Sequence, residues 1–399
     1  MTAFEIIVAG TGPAGRVAAA ALARSGAHIA LVGPAPAPGT PPDNRTAALF
    51  TGSMALLRNL GAMPHLEDAI TPLEGIRIVD DGDGLLRAPE VTFAAAEIGI
   101  ADFGANVPQI PLADALAAVV RELPNITVIC AQIAGIERAP ATAIVTLDDG
   151  RDLEAPLVVA ADGRNSICRQ AAGIAVDTWD YPQIAIAAQF SHSRGHRGIS
   201  TEFHRPAGPC TVVPMPGLRS SLVWVERPAI ARRLGRLDDA AFAAALAERL
   251  HGVLGSIGEI GPRRLFPLSC LQSHVLGANR IALVGDAGHV MPPIGAQGLN
   301  LGFRDAAALA DLVAQAREKG EDTGSDDLLS RYSAIRRLDI KLRSTAVDLL
   351  NRSLLAELLP ADLVRGLGLH AIAAIGALKR QVMRAGFEPV GDLPSLMRA

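Results

Sequence analysis

Aromatic side chains supply only 4% of this chain, and they do not interleave with basic residues. That scarcity argues against nucleic-acid binding, which needs stacking platforms on a positive field. An excess of one charge is missing too. The net charge is -4 and the pI about 6.2, so no polyanionic partner is implied. The four cysteines, Cys130, Cys168, Cys210 and Cys270, are widely spaced and form no CxxC pair. Zinc-site and disulfide-scaffold readings therefore fall away, no metal is expected, and a reducing cytoplasm is the simple setting. The longest uncharged C-terminal run, 366–378, is shorter than the about 20 residues that span a bilayer. The N-terminal apolar run carries glycines and Glu5, with no separate cleavage-like site, and is not read as a signal peptide.

What the chain has is length, apolar content and glycine in particular places. Its 399 residues suffice for a large core, or for two domains sharing an interface. A mean hydropathy of +0.28 owes much to alanine and leaves room for an apolar ligand or a membrane-facing patch.

Three strand-to-turn junctions carry the information. Phe4 to Ala9 reads as an apolar strand, followed at once by Gly10-Thr11-Gly12-Pro13-Ala14-Gly15 and a helix. This is the dinucleotide fingerprint in its strand–turn–helix setting. Gly10 permits the tight turn, Gly12 admits a pyrophosphate to the backbone, and Gly15 lets the helix pack on the strand. Leu157 to Ala161 is a second strand, ending in Asp162-Gly163-Arg164-Asn165-Ser166, where Ser166 reads as a helix cap. Arg280 to Val284 is a third, and Gly285-Asp286 follows, then a Pro/Gly loop and a long helical stretch. An acid at a strand end and a glycine-opened helix suit a polyol and an anionic ring: the acid accepts from hydroxyls, and the helix start offers free N–H groups.

The rest of the chain reads coarsely. Residues 34–42 are a Pro-rich loop, Asn44 to Leu60 has helical periodicity, and 76–107 holds short strands. Leu112 to Leu123 is a helix, and Asp148-Asp149-Gly150 marks a hairpin. Ile184–Phe190, Thr201–His204, Cys210–Pro214 and Ser221–Glu226 read as strands of an inserted antiparallel sheet. Asp238 to Leu250 is a helix, and the chain is mostly helical after Gly298.

The three motifs together resemble those of the class A flavin-dependent aromatic hydroxylases, the para-hydroxybenzoate hydroxylase fold. Within that class the chain is similar to the ubiquinone-biosynthesis hydroxylases that act on polyprenylated phenols. The residues behind the narrower likeness are His289-Val290-Met291-Pro292-Pro293-Ile294-Gly295-Ala296-Gln297-Gly298-Leu299-Asn300, Asp43 to Leu49, Arg337-Leu338-Asp339 and Asp348 to Arg352. The fold implied is α/β: an FAD-binding Rossmann-like domain of the glutathione-reductase type, an inserted antiparallel sheet as substrate domain, and C-terminal helices. The boundaries expected are 1–179 and 277–345 for FAD binding, 180–276 for the substrate sheet, and 346–399 for the helical end.

The resemblance implies FAD as cofactor, O2 as co-substrate, and NAD(P)H or an electron-transfer protein as reductant. Oxygen would be carried at the flavin C4a atom as a hydroperoxide, so the protein must stabilise the reduced ring, exclude water and position the phenol. It assigns Gly10, Gly12, Pro13, Ala14, Gly15, Arg45, Gln109, Asp162, Gly285, Asp286, Pro293, Gly295, Gly298, Leu299 and Asn300 to the cofactor. Pro293, Gly295 and Asn300 are the candidates nearest the chemistry, with His204 a weaker one.

Each residue keeps a plainer reading: a turn cap for Asp286, a rigid turn for the prolines, a solvated helix face for Arg45, and a satisfied strand residue for His204. His289 reads as a structural hydrogen-bonding residue of its motif. No paired base for a phenol is visible. An apolar channel for the prenyl tail is expected to open near the C-terminal helices. Leu354 to Leu378 suits an interfacial helix pair, core packing or a dimer contact. The implied setting is cytoplasmic, with peripheral contact at the inner face of the cell membrane, ubiquinone-biosynthesis partners, and a monomer or homodimer.

One departure stands out. The acid expected about 20 residues after the fingerprint, at the end of the second strand, is replaced by Gly33. Two alternatives stay open: a hydroxylase of a small unprenylated aromatic, and a flavin-poor scaffold of a biosynthetic complex. Halogenase chemistry is disfavoured, since no WxWxIP segment occurs and Trp179 and Trp224 stand apart.

Overall fold

The computed structural model describes residues 2–35, 43–82, 89–355, 375–387 and 391–398. The Pro-rich loop from 36 to 42 and the 356–374 part of the apolar C-terminal stretch lie outside the described residues.

Apolar runs become the centre of a parallel sheet. Its order is Gly277–Ala278, Ile281–Leu283, Leu157–Ala160, Ile6–Ala9, Ile29–Gly33 and Ile126–Cys130, parallel throughout except at the Gly277 edge. Every residue of Ile6–Ala9, Leu157–Ala160 and Ile281–Leu283 is buried. Such strands need apolar side chains on both faces. The Pro13–Ala23 helix packs on this sheet and on the Gln297–Lys319 and Gln109–Glu122 helices. All three motifs thus fall at the carboxyl ends of three adjacent strands, where α/β sheets open a ligand crevice.

A second layer is the large sheet, built on the 17-residue strand Val176–His192. It runs His289–Val290, Arg264–Ser273, Val176–His192, Arg219–Glu226, Gly208–Met215, Ile199–Arg205, Gly75–Asp80, Val91–Ala94, with Ile257–Ile260 also on the long strand. It is antiparallel except where Ile199–Arg205 meets Gly75–Asp80. Two early strands and a piece of the third motif therefore tie it to the cofactor layer. Phe190, Phe203, Leu222 and Trp224 on its far face are covered by the Pro228–Gly235 and Asp239–Arg249 helices. The long helix Asp326–Leu355 runs unbroken through the boundary expected at 345.

Between the layers lies a small sheet, Thr46–Phe50, Gly104–Pro108 and Thr71–Pro72. Here the sequence reading needs a correction. Residues 46–50 are a strand, and the helix occupies only Thr51–Asn59. Pairing with Gly104–Pro108 captures the segment, and alternation sorts its side chains. Ala47 and Leu49 join the main core, while Ala48 and Phe50 join a cluster with Ile76, Ile78 and Phe93 of the large sheet.

Candidate cofactor and substrate site

The fingerprint glycines divide by what surrounds them. A Cβ on Gly10 or Gly15 would run into the carbonyl of Ala161 or Gly10, and Gly10 has φ +111°. These two allow strand, turn and helix to touch. A Cβ on Gly12 would meet nothing within 4 Å, so its backbone faces open space. Gly12 caps the Pro13–Ala23 helix without a side-chain hydrogen bond, leaving first-turn N–H groups for an anion. Gly33 also has a local cause: a Cβ there would lie 2.7 Å from Thr11 Oγ1 and 2.8 Å from its Cγ2. Thr11 fills the position where an acid would stand.

The second motif is held by Ser166, whose Oγ accepts from Arg169 N at 2.9 Å, the expected cap. Buried Arg169 donates to the carbonyls of Ala287 (2.8 Å) and Arg164 (3.0 Å), linking the second motif to the third. Asp162 Oδ2 accepts from Cys168 N at 3.2 Å, while its Oδ1 is buried without a partner.

The third motif rests on buried charge. His289 Nε2 lies 2.6 Å from Asp305 Oδ2, which also accepts from Gly285 N at 3.1 Å. Arg336 Nε donates to Asp305 Oδ1 at 2.8 Å and its Nη1 to Asp339 Oδ2 at 2.9 Å. Arg304 and Arg343 complete the pairing of Asp339. Burial alone would raise the Asp305 carboxyl, but the charges of His289 and Arg336 hold it below the usual carboxylate range. Asp286, between Gly285 and His289, remains exposed.

From Pro292 to Ala296 the backbone is unusual. Ile294 N donates to Pro292 O at 2.8 Å, and Gly295 and Ala296 are both left-handed, at φ +67° and +52°. The turn delivers the chain into the Gln297–Lys319 helix with no side-chain cap. A Cβ on Gly298 would meet nothing within 4 Å. Asn300 is 2% exposed and its amide is fully engaged. It accepts from Phe50 N (2.9 Å) and Ser53 Oγ (2.7 Å) and donates to the carbonyls of Ala48 (2.8 Å) and Ala296 (2.7 Å). Its side chain therefore clamps the helix start to the small sheet, and only its backbone can serve a ligand.

Arg45 and Gln109 come together through the backbone bond from Gln109 N to Arg45 O, 2.9 Å. The Arg45 guanidinium is exposed, paired with Asp43 at 2.7 Å and stacked over Phe266 at 5.0 Å. The Asp43 carboxylate, and more weakly Asp286, raise its pKa against the effect of burial.

His204 lies on the large-sheet face turned toward the small sheet, with Nε2 2.5 Å from Glu202 Oε1. Burial would raise Glu202, but His204 holds it lowered. The sequence reading found no paired base and missed Glu202; a two-residue spacing on a strand puts both side chains on one face. A cleft of about 370 Å³ opens between Asp43-Asn44, Pro108 to Pro111, Gln189 and the turn from Met215 to Arg219. The apolar channel expected near the C-terminal helices falls largely on 356–374, outside the described residues. Gln189 Nε2 donates to Asn44 O at 2.7 Å across the cleft.

The residues present fit FAD: two open glycine-lined helix starts, an orphaned Asp162 oxygen and an exposed Asp286 follow the carboxyl ends of three adjacent strands. That arrangement defines a dinucleotide-binding fold of the flavin monooxygenase class. A solved structure of p-nitrophenol 4-monooxygenase PnpA from Pseudomonas putida DLL-E4 shares the fold with TM-score 0.79 and 19% identity, covering 98% of this chain and 100% of that one. The FAD binding domain family matches residues 3–342, and the chain belongs to it. It is 36% identical to Ubiquinone hydroxylase UbiL of Rhodospirillum rubrum, over 99% of this chain and 92% of that protein. It is 31% identical to 3-demethoxyubiquinol 3-hydroxylase of Escherichia coli K12, over 95% of this chain and 97% of that protein. The chain is an FAD-dependent monooxygenase.

Proposed function

We propose that this enzyme hydroxylates the ring of a polyprenylated phenol in ubiquinone biosynthesis, with O2 as co-substrate and NAD(P)H or an electron-transfer protein as reductant. The observation that carries the reading is near-full-length likeness to two hydroxylases named for ubiquinone chemistry. Reduced FAD, when bound, supplies the oxygen-activating chemistry.

The protein's part is binding, orientation and exclusion of water. Gly12 and the first turn of the Pro13–Ala23 helix receive the pyrophosphate, with Pro13 presetting that turn. Asp286 accepts from the ribityl hydroxyls, and Arg45, Gln109 and Asp162 border the same crevice. The N–H groups from Gly298 to Asn300 would be offered to the pyrimidine edge of a bound flavin, where negative charge develops. Pro293 and Gly295 wall the reacting side. Support for that wall comes from Ala296, which packs against the cluster of Phe50, Leu73 and Phe93, as do Ile76 and Ile78 of the large sheet. The Glu202–His204 pair is the candidate for holding a phenolic proton.

Peripheral membrane contact is supported by the long helix. Ile335, Leu338, Leu342 and Leu349 are 52%, 56%, 49% and 62% exposed along one stripe, beside exposed Arg337 and Lys341. Among the described residues no helix is long and apolar enough to cross a membrane. Flotation with anionic liposomes tests the contact, and Leu338→Asp with Leu342→Asp should abolish it.

The test of function is hydroxylated product per O2 consumed, measured with a prenylated phenol and a chemical reductant. Wild-type protein should couple the two. Gly295→Asp should keep FAD but release most reducing equivalents as hydrogen peroxide, because a charged side chain then enters the walled space. Equal turnover of unprenylated phenol would favour the small-aromatic reading, and protein that cannot be loaded with flavin would favour the scaffold.

A further inference from the structure

Asn106 is a buried polar residue with nothing to bind. It is 1% exposed, and neither Oδ1 nor Nδ2 has a hydrogen-bond partner. Its neighbours on the Gly104–Pro108 strand, Ala105 and Val107, point into the main core, so alternation turns Asn106 to the opposite face. That face looks toward the large sheet, whose Gly208–Met215 strand packs against it. Directly across the strand pair stands Thr71, 8% exposed, with its Oγ1 also buried and unpartnered. On the other side of Asn106 is Ala48, whose carbonyl receives Asn300 of the Gln297–Lys319 helix at 2.8 Å.

Buried amides and hydroxyls are nearly always satisfied, and each exception calls for an absent partner. Here three exceptions share one face of the small sheet, Asn106, Thr71 and the Thr46 hydroxyl, one strand away from the helix start. Phe50 and Phe93 of the adjoining cluster supply an apolar wall. A few convergent polar groups in an apolar wall is the pattern of a small-molecule site. The amide can donate and accept, as can the hydroxyl, which suits a ring carrying phenol or ether oxygens. The 370 Å³ cleft lies nearby: Pro108 and Ala69, two residues along the chain from Asn106 and Thr71, line it. The Glu202–His204 pair on the facing sheet is already satisfied internally and makes no comparable demand.

We propose that Asn106, with Thr71, binds the oxygen-bearing edge of the aromatic substrate and that the cleft beside Pro108 is its entrance. The proposal rests on the phenol hydroxylase reading above. The test uses FAD-loaded protein titrated with 2-geranylphenol and with unprenylated phenol, followed by the change in flavin absorbance. FAD affinity and ligand-free melting temperature are measured in parallel. Asn106→Leu should weaken both phenols at least tenfold, leave FAD affinity within twofold, and leave the melting temperature unchanged or higher. Thr71→Val should weaken them about threefold, and it reads the same wall if the leucine variant does not fold. Undiminished phenol binding in the folded variants overturns the assignment alone. A parallel loss of FAD affinity also overturns it, since Asn106 would then serve the cofactor. Wild-type protein that binds neither phenol overturns the hydroxylase reading together with it.

Discussion

Two groups of buried polar side chains border the start of the Gln297–Lys319 helix, and they are built in opposite ways. Beneath the third motif, every carboxylate oxygen of Asp305 and Asp339 has a partner among His289, Gly285 N, Arg304, Arg336 and Arg343. On the small sheet, the Asn106 amide and the Thr46 and Thr71 hydroxyls are buried with none. The first group fixes shape: it joins the strand end, the loop and two helices into one unit. The second is destabilising until something binds it, by roughly 1–3 kcal/mol for each unmet group. Such groups call for an explanation, and a bound ligand is one. The paired group keeps unpartnered nitrogens on His289, Arg304 and Arg336 but no unpartnered carboxylate oxygen, whereas on the small sheet the whole Asn106 amide is unmet.

The comparison breaks most visibly at Asp305. Asp305→Ala leaves Arg336 charged and buried, which costs about 3–5 kcal/mol. Urea unfolding should show that loss, and flavin occupancy should fall because Gly285 and His289 lose their common anchor. A loss below 1 kcal/mol would mean that the network does not hold the motif.

Gly12→Val sharpens the contrast from the cofactor side. A Cβ there meets no protein atom within 4 Å, so the melting temperature without flavin should stay near wild type. FAD affinity should drop by tenfold or more as the pyrophosphate is kept from the backbone. Wild-type-like flavin absorbance in the purified variant would remove Gly12 from the site. Gly10→Val, by contrast, should fail to fold, since its Cβ collides with Ala161.

Acid should unpick the paired group alone. Burial would raise Asp305 and Asp339, but the neighbouring cations outweigh it and lower both. Their folded pKa values lie below the unfolded ones. The stabilisation is therefore complete above about pH 4 and lost as pH falls through the folded values. Melting temperature should decline below pH 4, and less steeply in Asp339→Asn. Parallel curves would assign the acid sensitivity elsewhere.

The smallest effect is on the unpaired side. Without ligand, Asn106→Leu should raise stability by about 1 kcal/mol, the low end of the range for an unmet group, because the amide is replaced by an apolar group of similar size. A large loss would show that Asn106 is structural after all.

Much of the cofactor layer was legible because its signals are local. Gly10 to Gly15, Asp162 and Gly285-Asp286 each follow an apolar strand at once, and a strand–turn–helix needs only neighbouring residues to declare itself. The hairpin at Asp148-Asp149-Gly150 and the Ser166 cap were readable for the same reason. Asn44 to Leu60 misled because its first half is held by a partner more than 50 residues away. Glu202 left a faint signal, its spacing from His204, and Asn106 another, a polar amide in the middle of an apolar strand.

The sequence by itself determined the parallel sheet, the three ligand-facing turns and the class of cofactor, because periodicity and glycine placement act over a few residues. Tertiary structure decided how the layers meet: which early strands join the large sheet, that Thr11 fills the space over Gly33, and that the Asn300 amide clamps the scaffold. It also decided which buried polar groups are satisfied. Partnership depends on the positions of chains distant in sequence, and no local pattern encodes them. That is why Asp305 and Asn106, both polar and both buried, could be told apart only after folding.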